Sequence, residues 1–582
     1  MPPLNTLPPE PVRAHLQKIL ASAGFAQSER LRRFLCFTVE QVIEGRAEQL
    51  KEYVIGMKVF DRKESYDPRI EPIVRVEARR LRAKLKRYYE LEGRDEPIRI
   101  EFPKGQYAPV FRWRETEAAS EAEPRRPAIA VLPFANRSPE PDAEYFSDGL
   151  TEELIRALTK VEGLRVVAWH SACQLKGKAD DVTAAGRQLG VSVVLEGSVR
   201  RAGERLRVTA QLVSVADGAY LWSETYERPM RDVFAIQDEI SQAIAATLRV
   251  RLGAGAAGGK RGTSNLDAYH LYLKGAHHWN RQTFEGLEKA VEYFGQAIAC
   301  DPRFASAYAG LSDSLNLLVV WGAQPPSAVR AQATAAALQA VELDDSLAEA
   351  HASLGAARSI LDWEWTAAER EFRRAIELNP RLASARHGYA MLSLAPAGRL
   401  AEAIEQMRLA LELDPLSLFI HTSTATAFYY SRQYAHAAEQ YRRALELDPH
   451  YHLAHWGLGR VCLQQGRIEE AIGAFETASR LTGGSPHALA GAGLAHALGG
   501  QPRQARKLLA DLEARSLRGY VSPFHSGLIH LGLGQQDEAL GSLEKAYAER
   551  DTPLAWLAVE PLYDPIRSDA RFTDLMKKVA GN

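Results

Sequence analysis

The sequence has few cysteines, no long apolar run and almost no net charge. Its four cysteines lie far apart in 582 residues and form no C-x-x-C pair. This spacing argues against a disulfide framework or a zinc site and favours free thiols in a reducing compartment. No stretch approaches the 18 consecutive apolar residues of a membrane-spanning helix, so neither a transmembrane segment nor a membrane partner is expected.

The start of the chain, "MPPLNTLPPEP", lacks the basic region and following apolar run of a secretion signal. Together with the free thiols, this predicts a cytoplasmic protein. The formal charge is −1, with 72 basic and 73 acidic side chains. Any strongly basic patch is therefore a local feature of the sequence.

Motifs that mark common enzymes are also missing. The sequence contains no G-x-S-x-G, H-E-x-x-H or kinase-type signature. A nucleotide cyclase would need metal-binding carboxylates on neighbouring strands, and no separate block of adequate size remains to hold them. His452 and His455, with His450 nearby, lie three apart on one helix, but no carboxylate or cysteine at matching spacing completes a metal site. The sequence predicts no enzyme, no metal and no cofactor.

Two changes in composition divide the chain. The segments "ETEAASEAEPRRP" at 115–127 and "GAGAAGGKRGTSN" at 253–265 have the composition of flexible linkers. They separate blocks at 1–114, 128–252 and 266–582. The fold class predicted from these blocks is a multidomain, predominantly α protein: an N-terminal winged helix-turn-helix, a central small α/β sandwich and a C-terminal α-solenoid.

The last block contains an internal repeat. Asn379-Pro380, Asp414-Pro415 and Asp448-Pro449 each close a helical pattern, at intervals of 35 and 34 residues. A small–large–small trio recurs in these helical patterns, as Ala290/Phe294/Ala297, Ala368/Phe372/Ala375, Ala437/Tyr441/Ala444 and Ala471/Phe475/Ala478. Small residues let two helices approach, the aromatic ring fills the gap, and proline ends the second helix.

This pattern resembles the tetratricopeptide repeat, most clearly in "LAHWGLGRVCLQQGRIEEAIGAFETASRL". The resemblance implies about eight repeats over 266–553, a closing helix near 566–580, and a concave surface for a protein or peptide. Thr422 and Trp456 occupy the positions at which a carboxylate clamp would need Lys and Asn, so a C-terminal carboxylate is a disfavoured ligand. The same Met and aromatic residues have an alternative role in packing between repeats. The predicted partner-binding residues are His387, Met391, Thr422, Tyr429, Trp456 and Arg460.

The central block reads as strand, helix, strand and helix, followed by three antiparallel strands and a closing helix. The wording "AVLPFAN", "YFSDGLTEELIRAL" and "ADGAYLWSETYER" resembles the TolB amino-terminal-like domain. The β-propeller of TolB is absent, so an envelope role is not implied. Ser147 or Asp148 is predicted to cap the first helix.

A strongly basic helix is predicted over "EPIVRVEARRLRAKLKRYYE", residues 71–90. Proline suits its first turn, and Gly93 is a plausible stop. Val74, Ala78, Leu81, Leu85 and Tyr88 form one apolar stripe. The other side carries a nearly continuous row of cations with Glu77 as the one nearby acid. An ordinary solvated face alternates charges, so this asymmetry favours a polyanion.

The stretch from Leu50 to Phe111 resembles the winged-helix effector domain of bacterial response regulators. "ARRLRAKL" matches its recognition helix and "KGQYAPVF" its closing hairpin. The opening four-stranded sheet and a receiver domain are both missing, so aspartyl phosphorylation is not supported as a switch. The resemblance implies that Arg75, Arg79, Arg80 and Arg82 face DNA, with Lys104 at the hairpin tip. The predicted DNA-binding residues are Arg75, Arg79, Arg80, Arg82, Lys84, Lys86 and Lys104.

These features favour a transcriptional regulator that binds double-stranded DNA and receives a protein or peptide signal on its solenoid. Contacts to phosphates and guanines are expected, because the helix carries no Asn or Gln to read adenine. A homodimer is left open. The alternative is a non-enzymatic scaffold whose basic helix pairs with acidic residues of a protein.

Overall fold

The computed structural model describes residues 9–26, 28–44, 46, 49–63, 66–67, 71–90, 92–93, 96, 98–103, 106–113, 127–138, 144–159, 161–177, 181–248, 251–252 and 262–581. Residues 115–126 and 253–261, which cover most of both predicted linkers, lie outside these ranges. The chain forms two compact units, Met1–Arg125 and Arg126–Asn582.

The first unit combines helices with a β-hairpin. In its described part the helices are α1 (Pro9–Ala21), α2 (Ala23–Ala26), α3 (Glu29–Ile43), α4 (Glu52–Val59) and α5 (Ile73–Glu90), followed by strands β1 (Ile98–Glu101) and β2 (Val110–Trp113). The two strands pair antiparallel, with Ile100 opposite Phe111. Phe34, Ile55 and Leu81 meet in one core.

The predicted apolar stripe of the basic helix is confirmed. Val74, Ala78, Leu81, Leu85 and Tyr88 are all buried on α5. The amide of Gly93 donates to the carbonyl of Tyr88 at 2.8 Å and closes the helix end. Burying this stripe fixes the rotation of α5, so its arginines point away from the core.

The second unit begins with a mixed sheet. Its strands are β3 (Ala128–Val131), β4 (Ala135–Asn136), β6 (Arg165–Val166), β7 (Val193–Ala202), β8 (Arg205–Ser214) and β9 (Tyr220–Pro229), in the order β6-β3-β7-β8-β9 with β4 beside β7. Strand β3 runs parallel to β6 and β7, whereas β7, β8 and β9 form an antiparallel meander. β5 (Val161–Glu162) pairs separately with β10 (Arg251–Leu252).

Four helices accompany this sheet: α6 (Glu144–Thr159), α7 (Trp169–Cys173), α8 (Val182–Gln188) and α9 (Val233–Thr247). The predicted cap at Ser147 or Asp148 is wrong, because both residues lie inside α6. Asp148 is instead nearly buried and accepts from Lys176 Nζ at 2.6 Å, with His277 Nδ1 at 3.2 Å. His277 belongs to the solenoid, so this carboxylate joins the two regions.

The solenoid consists of paired helices. Between Leu266 and Ala548, where every residue is described, sixteen helices form eight hairpins: α10 (Leu266–Asn280), α11 (Phe284–Cys300), α12 (Ala305–Val320), α13 (Pro326–Leu343), α14 (Ala348–Ala357), α15 (Trp365–Leu378), α16 (Ala383–Tyr389), α17 (Leu400–Leu413), α18 (Leu418–Tyr430), α19 (Tyr434–Leu447), α20 (His452–Gln464), α21 (Ile468–Leu481), α22 (Pro486–Leu498), α23 (Pro502–Ser516), α24 (Pro523–Gly532) and α25 (Gln536–Ala548). The π-helical turns Arg358–Asp362 and Ala390–Leu394 extend α14 and α16. A predominantly helical chain with a C-terminal tetratricopeptide-like solenoid is thus confirmed.

The repeat packs as its small and aromatic residues predict. Phe475 of α21 is buried between two glycines of neighbouring helices. A Cβ atom at Gly459 would lie 2.7 Å from its ring, and one at Gly491 only 2.5 Å away. Only glycine therefore lets the two helices approach this ring without a shift.

The central domain packs directly on the solenoid. Phe146 and Leu150 of α6 share a core with Tyr269 and Leu273 of α10. Further along, the buried carboxylate of Asp414 accepts from the amide of Ser171 at 2.9 Å. These contacts make the sheet region and the solenoid one compact unit.

A segment with two short turns connects the last hairpin of the solenoid to a further helix. After α25 come two 3-10 turns, Thr552–Trp556 and Pro561–Ile566, and then α26 (Ala570–Ala580). We call residues 552–567 the inner strap, because they lie against the inner helices of the solenoid. Glu560 is the buried charged residue of this strap.

Membrane-spanning helices and metal-binding clusters are both absent from the residues that the structure describes. No helix in these ranges combines the length and the apolar character needed to cross a bilayer. Nor do three or more His, Cys, Asp or Glu side chains come together there in a way that could hold a metal ion. His450, His452 and His455 thus gather no further ligand within the described part of the chain.

Candidate nucleic-acid interface and partner groove

The exposed face of α5 carries a group of arginines. Arg75, Arg79, Arg80 and Arg87 are all exposed, while the opposite face is buried. Val76, at 45% exposure, lies beside them. Arg80 donates to Glu77 at 2.8 Å one turn earlier. The four guanidinium groups give this face a positive charge that the neighbouring acids offset only in part.

Arg75 is held by an acid that the sequence analysis missed. Its Nε and Nη2 atoms donate to the two carboxylate oxygens of Glu52 on α4, at 2.7 and 2.9 Å. Tyr107 also donates to this carboxylate, at 2.7 Å. Although partial burial opposes its charge, hydrogen bonds from Arg75 and Tyr107 lower the pKa of Glu52. Burial and the Glu52 charge raise the pKa of Tyr107 to about 12.

Arg82 has a different environment from its neighbours on α5. Its guanidinium donates to the carbonyls of Phe102, Pro103 and Gln106, at 3.0, 3.0 and 2.9 Å. These carbonyls belong to the loop between β1 and β2. Because a planar guanidinium fixes several acceptors at once, Arg82 ties this loop to the helix.

Of the three lysines predicted to bind DNA, only Lys84 has a described side chain. Lys84 is half-buried, donates to the hydroxyl of Ser28, and lies 5.7 Å from the centre of the Phe25 ring. It thus contacts α2 and its neighbouring loop. The side chain of Lys86, and Lys104 as a whole, lie outside the described residues. Their role in DNA binding stays a prediction.

The predicted partner-binding residues lie on the inner helices of the solenoid, and most are buried. Met391, Thr422, Tyr429 and Arg460 are 6%, 5%, 0% and 2% exposed. The hydroxyl of Thr422 donates to carbonyls of its own helix. These side chains form a groove surface that is covered by the chain itself.

The inner strap provides that cover. Glu560 accepts from the hydroxyl of Tyr429 at 2.7 Å through one carboxylate oxygen. Its other oxygen accepts from Nη1 of Arg460 at 3.0 Å. The indole nitrogen of Trp556 donates to the carbonyl of Met391 at 2.8 Å. Three of the six predicted groove residues therefore hold the strap.

Arg460 lies in an aromatic box. Its guanidinium carbon is 3.9 Å from the ring centre of Trp456 and 4.4 Å from that of Tyr429. Although burial opposes the charge, the nearby Tyr441 and Glu560 raise the pKa of Arg460. Cation–π contacts and the carboxylate keep this buried side chain charged.

A row of three rings continues from this box, with Trp456 and His487 half-buried and His525 buried. Trp456 stacks on His487 of α22, with ring centres 3.9 Å apart, and His487 lies 5.6 Å from His525 of α24. Burial lowers the pKa of His525 to about 4, and burial together with nearby positive groups lowers the pKa of His487 well below its usual value. Both rings are therefore neutral near pH 7.

His387 lies apart from this box, on α16. Its Nε2 atom is 3.1 Å from the hydroxyl of Ser423, and its ring lies 4.5 Å from that of Phe419. Burial lowers the pKa of His387 to about 4. The structure thus brings Tyr429, Trp456 and Arg460 together and leaves His387 at a separate contact between α16 and α18.

Two family models match parts of the chain. Residues 422–486 match the tetratricopeptide repeat. Residues 125–243 match the HilA/YgeH-like transcriptional regulator, second domain. The second match covers the region whose sequence resembles the TolB amino-terminal-like domain, and that resemblance stays a prediction.

Curated relatives match shorter parts of longer proteins. The chain is 37% identical over 288 residues to "Putative adenylate cyclase 3" of Rhizobium meliloti (strain 1021), which is 47% of each chain. It is 27% identical over 152 residues to "Transcriptional regulator HilA" of Salmonella typhimurium, which is 26% of this chain and 27% of that one. The chain thus spans about half the length of the first relative and about a quarter of the second.

Among solved structures, the chain is similar to the "APC/C hetero-tetramer Cut9-Hcn1". The TM-score is 0.38 at 17% identity, over 60% of this chain and 59% of that one. A second similar structure is a monomeric mutant of IFIT1, with a TM-score of 0.40 at 14% identity over 60% of this chain and 77% of that one.

Proposed function

We propose that the chain is a DNA-binding transcriptional regulator whose solenoid binds a protein partner. The observation that carries this proposal is the exposed face of α5, where Arg75, Arg79, Arg80 and Arg87 line one side of an 18-residue helix. At 1.5 Å per residue the helix is roughly 27 Å long, enough to follow a groove of DNA. A row of guanidinium groups on that scale matches a row of phosphates.

The order of elements supports a winged-helix interpretation of the first unit. Helix α5 is followed directly by the antiparallel pair β1–β2. In this proposal α5 is the recognition helix and the hairpin is the wing. Arg82 then acts as a positioning residue, because it binds the carbonyls of the loop that would approach the DNA backbone.

Regulation is supported by the neighbouring region. The match to the second domain of HilA/YgeH-like transcriptional regulators begins at residue 125, where the first unit ends. Tetratricopeptide repeats generally mediate protein–protein contacts, which supports a solenoid that receives a signal. We propose that the chain is not an enzyme. The match to the relative named as an adenylate cyclase covers only 47% of that protein, so its name does not assign a cyclase activity to this chain.

The experiment is a DNA-binding comparison of three full-length proteins with one labelled duplex of random sequence. The first is the wild type, and the second is Arg79→Glu/Arg80→Glu/Arg87→Glu. The third, Arg503→Glu/Arg506→Glu/Lys507→Glu, reverses three exposed cations on solenoid helix α23 and keeps the total charge change equal. Circular dichroism checks that all three are folded.

We expect the α5 variant to lose at least about tenfold in affinity, and the α23 variant to lose far less. Equal losses in both variants would mean that only total charge matters. An absence of binding by the wild type at low salt would favour the scaffold alternative, in which α5 contacts acidic protein surfaces.

A further inference from the structure

The inner strap is held by polar contacts in addition to apolar packing. Leu554, Leu557 and Tyr563 are buried in a core shared with the solenoid, and the strap is also fixed at defined polar points. The buried carboxylate of Glu560 accepts hydrogen bonds from Tyr429 and Arg460. The indole of Trp556 donates to the backbone carbonyl of Met391. Arg432 adds bonds to the carbonyl of Val559 and the carboxylate of Asp564, at 3.1 and 2.8 Å. The strap is thus held as a bound peptide is held, by buried apolar anchors together with a few specific polar contacts.

The strap is also unlike a repeat in its backbone. It consists of two 3-10 turns and contains prolines at 553, 561 and 565. Short 3-10 turns have poor hydrogen-bond geometry and little stability of their own. Arg567 braces the strap internally by donating to the carbonyls of Ala558 and Glu560, both at 2.8 Å. These hydrogen bonds hold the shape of the strap, and its buried apolar side chains are stabilised by packing on the neighbouring helices.

The fit between strap and groove leaves polar atoms unsatisfied. Trp456 Nε1 and Arg460 Nε on the groove side have no hydrogen-bond partner among the described residues, and neither do the hydroxyls of Thr552 and Tyr563 on the strap side. A buried polar group without a hydrogen-bond partner is unfavourable, because it has lost its contacts with water. A peptide that offers acceptors to Trp456 and Arg460 in addition to a carboxylate would bind this surface more completely than the strap does.

We propose that the inner strap is a built-in ligand of the solenoid groove, and that the external partner is an acidic peptide that replaces it. The inference rests on the proposed partner-binding function of the solenoid and names its ligand class. The peptide would carry a carboxylate for Arg460 and Tyr429, with a bulky apolar residue about one helical turn before it, as Trp556 precedes Glu560 in the strap.

Charge favours this choice of partner. Arg460 is the buried cation of the groove, and His487 and His525 beside it are neutral near pH 7 because of their lowered pKa values. A carboxylate that leaves with the strap must be replaced, since an unpaired buried guanidinium is strongly unfavourable. The groove is therefore selective for an acidic segment over a neutral or basic one.

The strap is covalently connected to the solenoid, which explains why it stays in the groove when no external partner is present. A ligand on the same chain acts at an effective concentration of order millimolar, so a free peptide of the same sequence at micromolar concentration does not displace it. Weakening the strap at Glu560 removes this advantage and leaves the groove side chains unchanged.

The test uses full-length protein and a fluorescein-labelled synthetic peptide of residues 551–567, DTPLAWLAVEPLYDPIR. Fluorescence anisotropy measures binding to the wild type, to Glu560→Gln and to the control Glu513→Gln, which changes an exposed carboxylate of α23. We expect Glu560→Gln to bind the peptide at least about tenfold more tightly than the wild type or the control, a difference of about 1.4 kcal/mol. A peptide with the Glu560→Gln change should lose a similar factor.

Equal peptide binding by Glu560→Gln and the wild type, or no loss with the altered peptide, would overturn the proposal. Hydrogen exchange of the wild type gives a second measure that needs no variant. We expect amides of 552–567 to exchange faster than those of α18 and α20. Exchange as slow as in those helices would mean that the strap is a permanent part of the solenoid core, which would also overturn the proposal. DNA affinity of the same samples is measured separately, so a failure of the DNA-binding function is distinguished from a failure of the groove.

Discussion

Arg460 and Glu560 form a buried ion pair at 3.0 Å although 100 residues separate them in the sequence. The arginine belongs to inner helix α20 and the glutamate to the inner strap. Because both partners belong to the same chain, the buried charge of Arg460 on the concave surface is paired by the protein itself.

Removing one partner of this pair should be more harmful than removing both. Arg460→Met leaves the carboxylate of Glu560 buried without its cation, which typically costs 3–5 kcal/mol unless the strap detaches. Arg460→Met/Glu560→Gln leaves no unpaired charge and should recover part of that loss. Thermal unfolding of the two variants and of Glu560→Gln alone provides the comparison. A double variant less stable than Arg460→Met would contradict this account of the pair.

Arg82 is expected to control the order of the β1–β2 loop. Arg82→Ala removes three hydrogen bonds from a charged donor to the carbonyls of Phe102, Pro103 and Gln106. The free energy of opening that loop should therefore fall by about 1–3 kcal/mol. Hydrogen exchange should become faster in 98–113 and stay unchanged in α1 and α3. Arg87→Ala, an exposed arginine of the same helix, is the matched control and should leave both regions unchanged. Faster exchange with the control alone would refute the assigned role.

Two glycines in neighbouring helices should respond in opposite directions to alanine. Gly491→Ala places a methyl group 2.5 Å from the ring of Phe475, so overpacking should cost about 1–3 kcal/mol. Gly473 is exposed on α21 and has nothing within 4 Å of the added carbon. Gly473→Ala should therefore raise stability by about 0.5–1 kcal/mol through better helix propensity. Melting temperatures that move in the same direction for both would argue against this packing.

The stability of the strap region should depend on pH through Asp551. Burial raises the pKa of Asp551 to about 7, with Glu549 adding to the rise and the Ser522 hydroxyl opposing it. An unfolded aspartate titrates near 3.9, so between about pH 4 and 7 the folded state holds a proton that the unfolded state releases. The stabilising contribution is complete below about pH 4 and is lost as the pH rises through about 7.

Asp551→Asn keeps this position neutral at every pH. Its melting temperature should therefore rise relative to the wild type as the pH increases from about 5 to 8. Asp537→Asn changes a carboxylate that is 94% exposed and serves as the control. The control should show a nearly constant difference from the wild type over the same range. An Asp551→Asn difference that is equally flat would remove Asp551 as the cause.

The sequence was most informative where a pattern repeats along one element. The 34- and 35-residue intervals and the small–aromatic–small trios predicted the solenoid, and the apolar stripe predicted which face of α5 is buried. Local periodicity suffices there because neighbouring residues on one helix face share the same environment.

Contacts between distant segments were not accessible in the same way. Glu52 lies 23 residues from Arg75, and Glu560 lies 100 residues from Arg460. Neither acid belongs to a periodic pattern that points to its partner. From the sequence alone, Arg75 is therefore predicted to be available to DNA and Arg460 to be available to a partner. In the folded chain each is already paired with an acid.

The most direct test of the account is the salt dependence of DNA binding by the full-length wild type. If the face of α5 neutralises phosphates, the logarithm of the association constant should fall linearly with the logarithm of the salt concentration. The slope should be about −2 if Arg75 and Arg80 stay paired with Glu52 and Glu77, and about −4 if DNA replaces these acids. Arg79→Glu/Arg80→Glu/Arg87→Glu should make this slope markedly shallower. A slope near zero, or one that the variant leaves unchanged, would contradict the claim that α5 binds DNA.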